Sequence, residues 1–99
     1  MIALINVFKV EPYNQDRLIN LLTRATDEFV ARAPGFVSST LHASLDGTKV
    51  TMYGLWNSVA EYRAMREDPG PLPYFREALT FATFEPGLYE IVATFQARN

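Results

Sequence analysis

The sequence predicts an α+β domain with helices on one side of an antiparallel four-stranded sheet. Three observations predict it. From Thr48 to Trp56, β-branched and aromatic residues alternate at period two, and directly after Trp56 the pattern changes to helical three-and-four spacing. Asp46-Gly47 stands between two strand-like runs, which is the strongest local hairpin signal a sequence offers. Ahead of that hairpin an alternating run passes into a long amphipathic one, so the elements read strand, helix, hairpin, helix, strand.

Ile2 to Val10 places Ile2, Leu4, Asn6, Phe8 and Val10 on one face and Ala3, Ile5, Val7 and Lys9 on the other. Asn6 is the polar exception on its face. Glu11-Pro12-Tyr13-Asn14 breaks the strand, and Leu18, Leu21, Leu22, Ala25, Phe29 and Val30 then recur along one helical face until Pro34-Gly35 stops it. Phe36 to Ser44 alternates again, with Phe36, Ser38, Thr40, His42 and Ser44 opposite Val37, Ser39, Leu41 and Ala43. Val50, Met52, Gly54 and Trp56 share a face of the next strand. Ser58 is an N-cap, and Glu61 three residues on completes a capping box for a helix carrying Val59, Tyr62 and Met65. Asp68 to Pro73 breaks the chain, and Pro71 or Pro73 opens a short helix from Leu72 to Phe81. After Glu85-Pro86-Gly87 the last strand is expected at Leu88 to Phe95, with Gln96 to Asn99 as a frayed end. This is the split βαβ, or ferredoxin-like, order.

The helix-free face, assigned Ala3, Ile5, Val7, Val37, Leu41, Thr51, Tyr53 and Leu55, is apolar. An uncovered face of that kind predicts an interface, most simply a two-fold homodimer with the sheets face to face.

A length of 99 residues, 48% of them hydrophobic and 20% charged, predicts one soluble domain spanning 1–99. With no cysteine, disulfides, thiolate metal sites and Cys nucleophiles are excluded, and a cytoplasmic location is expected. A net charge of −2 without a basic run gives no footprint for nucleic acid or an acidic membrane surface. The apolar run at the N-terminus is too short to span a bilayer. One histidine and no cysteine supply no metal constellation, and there is no glycine-rich phosphate loop.

Chemistry therefore falls to ordinary polar groups. Asn6, His42 and Trp56 interrupt the apolar lining predicted to face the helices, and Tyr62 and Arg76 can reach it from them. An apolar pocket with a few converging polar groups suits a flat aromatic ligand. Each residue also has a plainer role: Asn6 as a structural amide, His42 as a solvated or core histidine, Trp56 and Tyr62 as packing, Arg76 as a surface ion pair. Their combination on one face is what points to a site.

The run from Leu22 to Trp56, followed by Asn57 to Ala64, resembles the antibiotic biosynthesis monooxygenase domain family over nearly the whole chain. The most specific parts are Pro34-Gly35-Phe36, His42-Ala43-Ser44, Asp46-Gly47-Thr48, Trp56-x-Ser58 and Phe75 to Leu79. The spacing of Trp56 and Tyr62 is similar to that of the family's polyketide anthrone oxygenases. The resemblance implies a dimeric α+β barrel that oxidises a polycyclic phenol to a quinone with dioxygen as co-substrate and without flavin, haem or metal. It implies that Trp56 and Tyr62 hydrogen-bond substrate oxygens and that His42 and Arg76 assist proton transfer or bind phenolate. Phe8, Phe29, Met52, Tyr74 and Phe75 would grip the rings.

One position departs from the family pattern. Those oxygenases carry an asparagine four residues before the tryptophan, and this chain has Met52, whose thioether donates no hydrogen bond. Asn6, on the same predicted face, is the candidate substitute. The chain also resembles haem-degrading oxygenases in Asn6 and Trp56, but the helix after Trp56 lacks the proximal histidine they need. Two other functions fit the barrel: a polyketide cyclase, which adds no oxygen, and a non-catalytic binder of aromatic ligands.

Overall fold

A computed structural model describes residues 1–98. Its elements are β1 (Ile2–Val10), α1 (Gln15–Glu28), β2 (Phe36–Ala43), β3 (Lys49–Trp56), α2 (Val59–Arg66), α3 (Leu72–Ala78), β4 (Ala82–Glu85) and β5 (Leu88–Glu90), with single 3-10 turns at Pro12–Asn14 and Val30–Arg32. The sheet is antiparallel in the order β2-β3-β1-β4, and β5 also pairs with β1.

β4 and β5 follow one register along β1, from Val10 opposite Ala82 through Val7 opposite Glu85 to Ile2 opposite Glu90. They are one edge line interrupted at Pro86-Gly87, where proline has no N–H to give the ladder. Ile5 N–H still donates to Gly87 O at 2.9 Å across the interruption. The last strand therefore starts six residues earlier than the sequence suggests, at Ala82, and ends at Glu90 rather than Phe95. The preceding helix stops at Ala78, not Phe81. Four residues of β4 are too few to show a period, and Pro86-Gly87 reads as a boundary where it is only a gap. Residues 91–98 form no ladder; Val92 and Phe95 are exposed. Of the expected frayed end, Asn99 lies outside the described residues.

Local chemistry fixes the connections. Leu18, Leu21, Leu22 and Ala25 are the buried residues of α1, at the spacing of one helical face. Gln15 Nε2 donates to Ser44 O at 3.1 Å and Lys49 O at 3.0 Å, fastening the start of α1 to the base of the β2–β3 hairpin. The N-cap half of the capping box forms, with Ser58 Oγ accepting from Glu61 N–H at 3.2 Å, while Glu61 Oε1 accepts from the Ser58 hydroxyl at 3.0 Å instead of from the Ser58 backbone N–H. Gly35, at φ +88°, is the turn into β2, and a Cβ there would lie 2.5 Å from Glu61 Cβ. In the hairpin loop Gly47 has φ +81°.

The β2–β3 register contains a bulge between Phe36 and Ser38. Phe36 pairs with Trp56, but the next pair is Ser38 with Leu55, so Val37 is the extra residue. Each residue beyond it changes face. Ser39, Leu41 and Ala43 lie over the helices beside Gly54, Met52 and Val50, while Thr40 and His42 join Tyr53 and Thr51 on the far face. The expected shared face of His42, Asn6 and Trp56 therefore does not form, and Leu41 belongs to the core. The helix-free face is Ala3, Ile5, Val7, Thr51, Tyr53 and Leu55, bordered by β2's Ser38, Thr40 and His42.

The covered side holds two apolar clusters. One gathers Phe8, Leu18, Leu21, Leu22, Val50, Met52, Ala78 and Ala82. The other gathers Leu4, Val30, Trp56, Tyr62 and Met65. No helix of the described residues is long and apolar enough to cross a membrane.

Asp46 titrates with the hairpin. Its Oδ1 accepts from Thr48 Oγ1 at 2.7 Å, Thr48 N–H at 3.0 Å and Ser44 Oγ at 2.8 Å. Led by the Thr48 hydroxyl, these bonds lower its pKa from 3.8 to about 2. A carboxylate depressed in the folded state contributes stability that is full above its unfolded pKa and is lost as pH falls through the folded one. Urea midpoints measured from pH 6 down to pH 2 should fall less steeply below about pH 4 for Asp46→Asn than for the parent, since the amide does not titrate.

Candidate active site

Trp56 is the centre of the second cluster, 1% exposed. Its indole meets the Phe36 ring edge-on at 5.4 Å and the Tyr62 ring at 5.7 Å. Both contacts follow from chain geometry. Phe36 is its cross-strand partner, and the cap at Ser58 starts α2 so soon after β3 that Tyr62, in the second turn, returns over the strand end. Tyr62 Oη accepts from Arg66 Nη1 at 2.9 Å, one helical turn on, so a buried phenol carries a cation at its rim.

Asn6 and Met52 are direct cross-strand partners. Asn6 Oδ1 is buried and has no hydrogen-bond partner. An unpaired buried carbonyl costs about 1–3 kcal/mol, so it marks a place where the fold gives up stability. Between Met52 in one cluster and Trp56 in the other, β3 presents Gly54, flanked by Leu4 and Ser39. A Cβ at Gly54 would lie 3.9 Å from Trp56 Nε1. The sheet thus has a floor without a side chain, with the Asn6 amide diagonal to it and the Trp56 ring beside it.

Two further buried atoms lack partners: Thr26 Oγ1 on α1 and Ser39 Oγ on β2. Both line a cleft of about 200 Å³ with Thr23, Asp27 and Leu41. The sequence reading missed them because Ser39 was assigned to the opposite face and a helix threonine carries no mark of its own. A register break inside Phe36-Val37-Ser38 was the signal that would have brought Ser39 inward.

The remaining expected site residues scatter. His42 is exposed, and its Nδ1–H lies 3.3 Å from Thr51 O on the far face. Arg76 is exposed on α3, an element of the first cluster's side, away from the Trp56 group. Phe8 stacks on Phe84 at 5.1 Å, and Met52 and Phe75 also pack in the first cluster. Phe29 and Tyr74 form a tilted pair at 6.2 Å. Phe29 lines a separate cleft of about 380 Å³ with Arg32, Pro34, Glu61 and Met65. Tyr74 Oη donates to Glu28 Oε2 at 2.5 Å. That bond, then burial and the Glu28 charge, raise the Tyr74 phenol above its ordinary pKa of 10.0, with Arg24 opposing. No group of three or more His, Asp or Glu among the described residues could hold a metal ion.

Fold and residues together define an α+β domain of the ferredoxin-like kind, with its helices on one side of an antiparallel sheet. The family described as antibiotic biosynthesis monooxygenase matches residues 1–79, and the chain belongs to it. Tetracenomycin-F1 monooxygenase of Streptomyces glaucescens is 37% identical over 99 residues, covering 100% of this chain and 88% of that one. SnoaB, a cofactor-independent oxygenase from Streptomyces nogalater, superposes with a TM-score of 0.83 at 26% identity over 97% of each chain. Rv0793 from Mycobacterium tuberculosis shares the fold at a TM-score of 0.81 and 20% identity, over 96% of this chain and 98% of that one. The protein is a monooxygenase of the cofactor-independent kind.

Trp56→Ala removes the ring that Phe36 and Tyr62 both pack on. Urea unfolding should show a loss of about 3–5 kcal/mol, the range for truncating a buried aromatic, whereas Trp56→Phe should lose far less.

Proposed function

We propose that the protein is a homodimeric monooxygenase that oxidises a polycyclic aromatic phenol of the anthrone type to a quinone. The observation that carries this is the unpartnered Asn6 Oδ1, buried opposite Met52 on the sheet side that also holds Trp56. Cross-strand Cβ atoms lie about 5 Å apart, so an amide at position 6 can reach the space an asparagine at position 52 would occupy. Asn6 then accepts from a substrate phenol, and Trp56 and Tyr62 wall the rings.

The chemistry draws its electrons from the substrate. Loss of a proton from the anthrone methylene gives a delocalised carbanion. Its electron pair reduces dioxygen as a C–O bond forms, giving a hydroperoxide after protonation. Loss of water from that hydroperoxide leaves the quinone carbonyl, so one oxygen atom enters the product and the other leaves as water. The protein's part is to exclude solvent, fix the ring and stabilise the anion by hydrogen bonds. Arg66, on the Tyr62 hydroxyl, supplies positive charge to that edge. His42 and Arg76 take no part in this reading, because the sheet separates His42 from the Trp56 group and Arg76 faces solvent.

The dimer rests on the face no helix covers. Ile5, Val7, Tyr53 and Leu55 are only half-buried there. Tyr53→Asp places a charge in that face and should shift the protein to monomer or aggregate in analytical ultracentrifugation, while an unchanged dimer would move the interface elsewhere.

Oxygen consumption with 1,8-dihydroxyanthrone should be protein-dependent, chelator-insensitive and equimolar with quinone formed. Asn6→Ala should lower kcat/KM about ten-fold, the loss of one orienting hydrogen bond from the substrate phenol. Uptake equal to the protein-free rate would leave a cyclase or a binder.

A further inference from the structure

Asn6 does not exhaust the unpaired polar atoms on the covered side of the sheet. We propose that Ser39 and Thr26 form a second substrate-orienting subsite, two hydroxyl residues lining the α1–β2 cleft that hydrogen-bond the oxygen substituents at the ring edge away from Asn6. The proposal rests on the reading above for the class of ligand. The placement itself comes from the fold.

Ser39 is the cross-strand partner of Gly54 and faces the helices because of the bulge at Val37. Thr26 comes from α1, one turn after Leu22 and next to Ala25, both fully buried. Both residues are half-buried, their oxygens have no partner among the described residues, and with exposed Thr23 and Asp27 they line the same cleft of about 200 Å³. One ordered water occupies about 30 Å³, so a single water does not fill this space. Ser39 and Asn6 lie on strands separated by β3 and two residues apart in register, since Ser39 pairs with Gly54 and Asn6 with Met52, which puts their backbones about 12 Å apart on the diagonal. A fused three-ring system with a hydrogen bond at each end covers that diagonal, which runs between bare Gly54 and Met52.

The three atoms also differ in chemistry. Asn6 Oδ1 only accepts, so it selects a phenolic O–H. The Ser39 and Thr26 hydroxyls donate as well as accept, so they suit a carbonyl oxygen, and Asp27 on the same cleft disfavours a phenolate there. The site therefore fits a ring system oxygenated at two opposite edges, with at least one free phenol. A hydrocarbon of the same shape would leave all three atoms unpaired.

The test is binding, read through the fluorescence of Trp56, the chain's one tryptophan. The probes are 1,8-dihydroxyanthraquinone, which is already oxidised and undergoes no turnover, and anthracene, which has the rings without oxygen. The double variant Ser39→Ala, Thr26→Val should weaken the dihydroxyanthraquinone about 5- to 100-fold, as expected for two hydrogen bonds, and leave anthracene within about two-fold. Thermal melting of the free variant should occur at or above the parent temperature, since two unpaired buried hydroxyls are gone. Thr26→Ser keeps the hydroxyl and should retain parental affinity, which serves if the double variant does not fold. Undiminished quinone affinity in the double variant, an equal loss for anthracene, or a lower melting temperature would each overturn the proposal. Failure of oxygen uptake with the anthrone would remove the oxygenase reading and leave this result standing.

Discussion

Side chains on a strand alternate between two faces, and a single extra residue at Val37 decides which of β2's side chains the helices cover. Without the bulge, Leu41 would leave the core and His42 would enter it. With it, Phe36 still packs on Trp56, while Ser39 and Leu41 turn inward beside Gly54 and Met52. The bulge lies at the edge of the sheet, where disrupting a ladder costs least. It thereby joins two requirements that strict alternation would set against each other: an aromatic partner for Trp56 at one end of β2 and an aliphatic wall for α1 at the other.

The covered side is organised around a seam. Two apolar clusters flank a strip in which Gly54 has no side chain and Asn6, Ser39 and Thr26 hold unpaired oxygens. A core evolved only for stability would close such a strip with aliphatic side chains. Leaving polar atoms unpaired in a small domain with no disulfide is destabilising, and that cost is the ground for the proposed substrate site. In the proposed function, the family relationship supports the chemical character of the substrate and the seam its shape.

Much of the fold was legible because its signals are local. Asp46-Gly47, Ser58 with Glu61, and Pro34-Gly35 each act within a few residues, and each does in the structure what its chemistry predicts. Trp56 and Tyr62 were legible as neighbours for the same reason, since a capped helix following a strand fixes their relation. What the sequence hid was non-local. The bulge is defined only against β3, so Val37-Ser38-Ser39 reads as unbroken alternation and assigns His42 and Leu41 to the wrong sides. The edge strand is defined only against β1, so Ala82–Glu85 went unseen and Pro86-Gly87 looked like a boundary. Arg76 was placed within reach of the site from its position on the short helix, with its role taken from the family resemblance, and it lies on the solvent side of α3.

Gln15 holds the first turn of α1 to two carbonyls of the hairpin base, Ser44 O and Lys49 O. Thr26 stands eleven residues further along, roughly 16 Å up the helix axis. The helix is thus a lever with its pivot in a loop and its working end over the Ser39 cleft. A few degrees of tilt at the pivot become more than an ångström of opening at the far end. A change in the Ser44–Lys49 loop alone would therefore alter the width of the Ser39 cleft while leaving every residue that lines it unchanged.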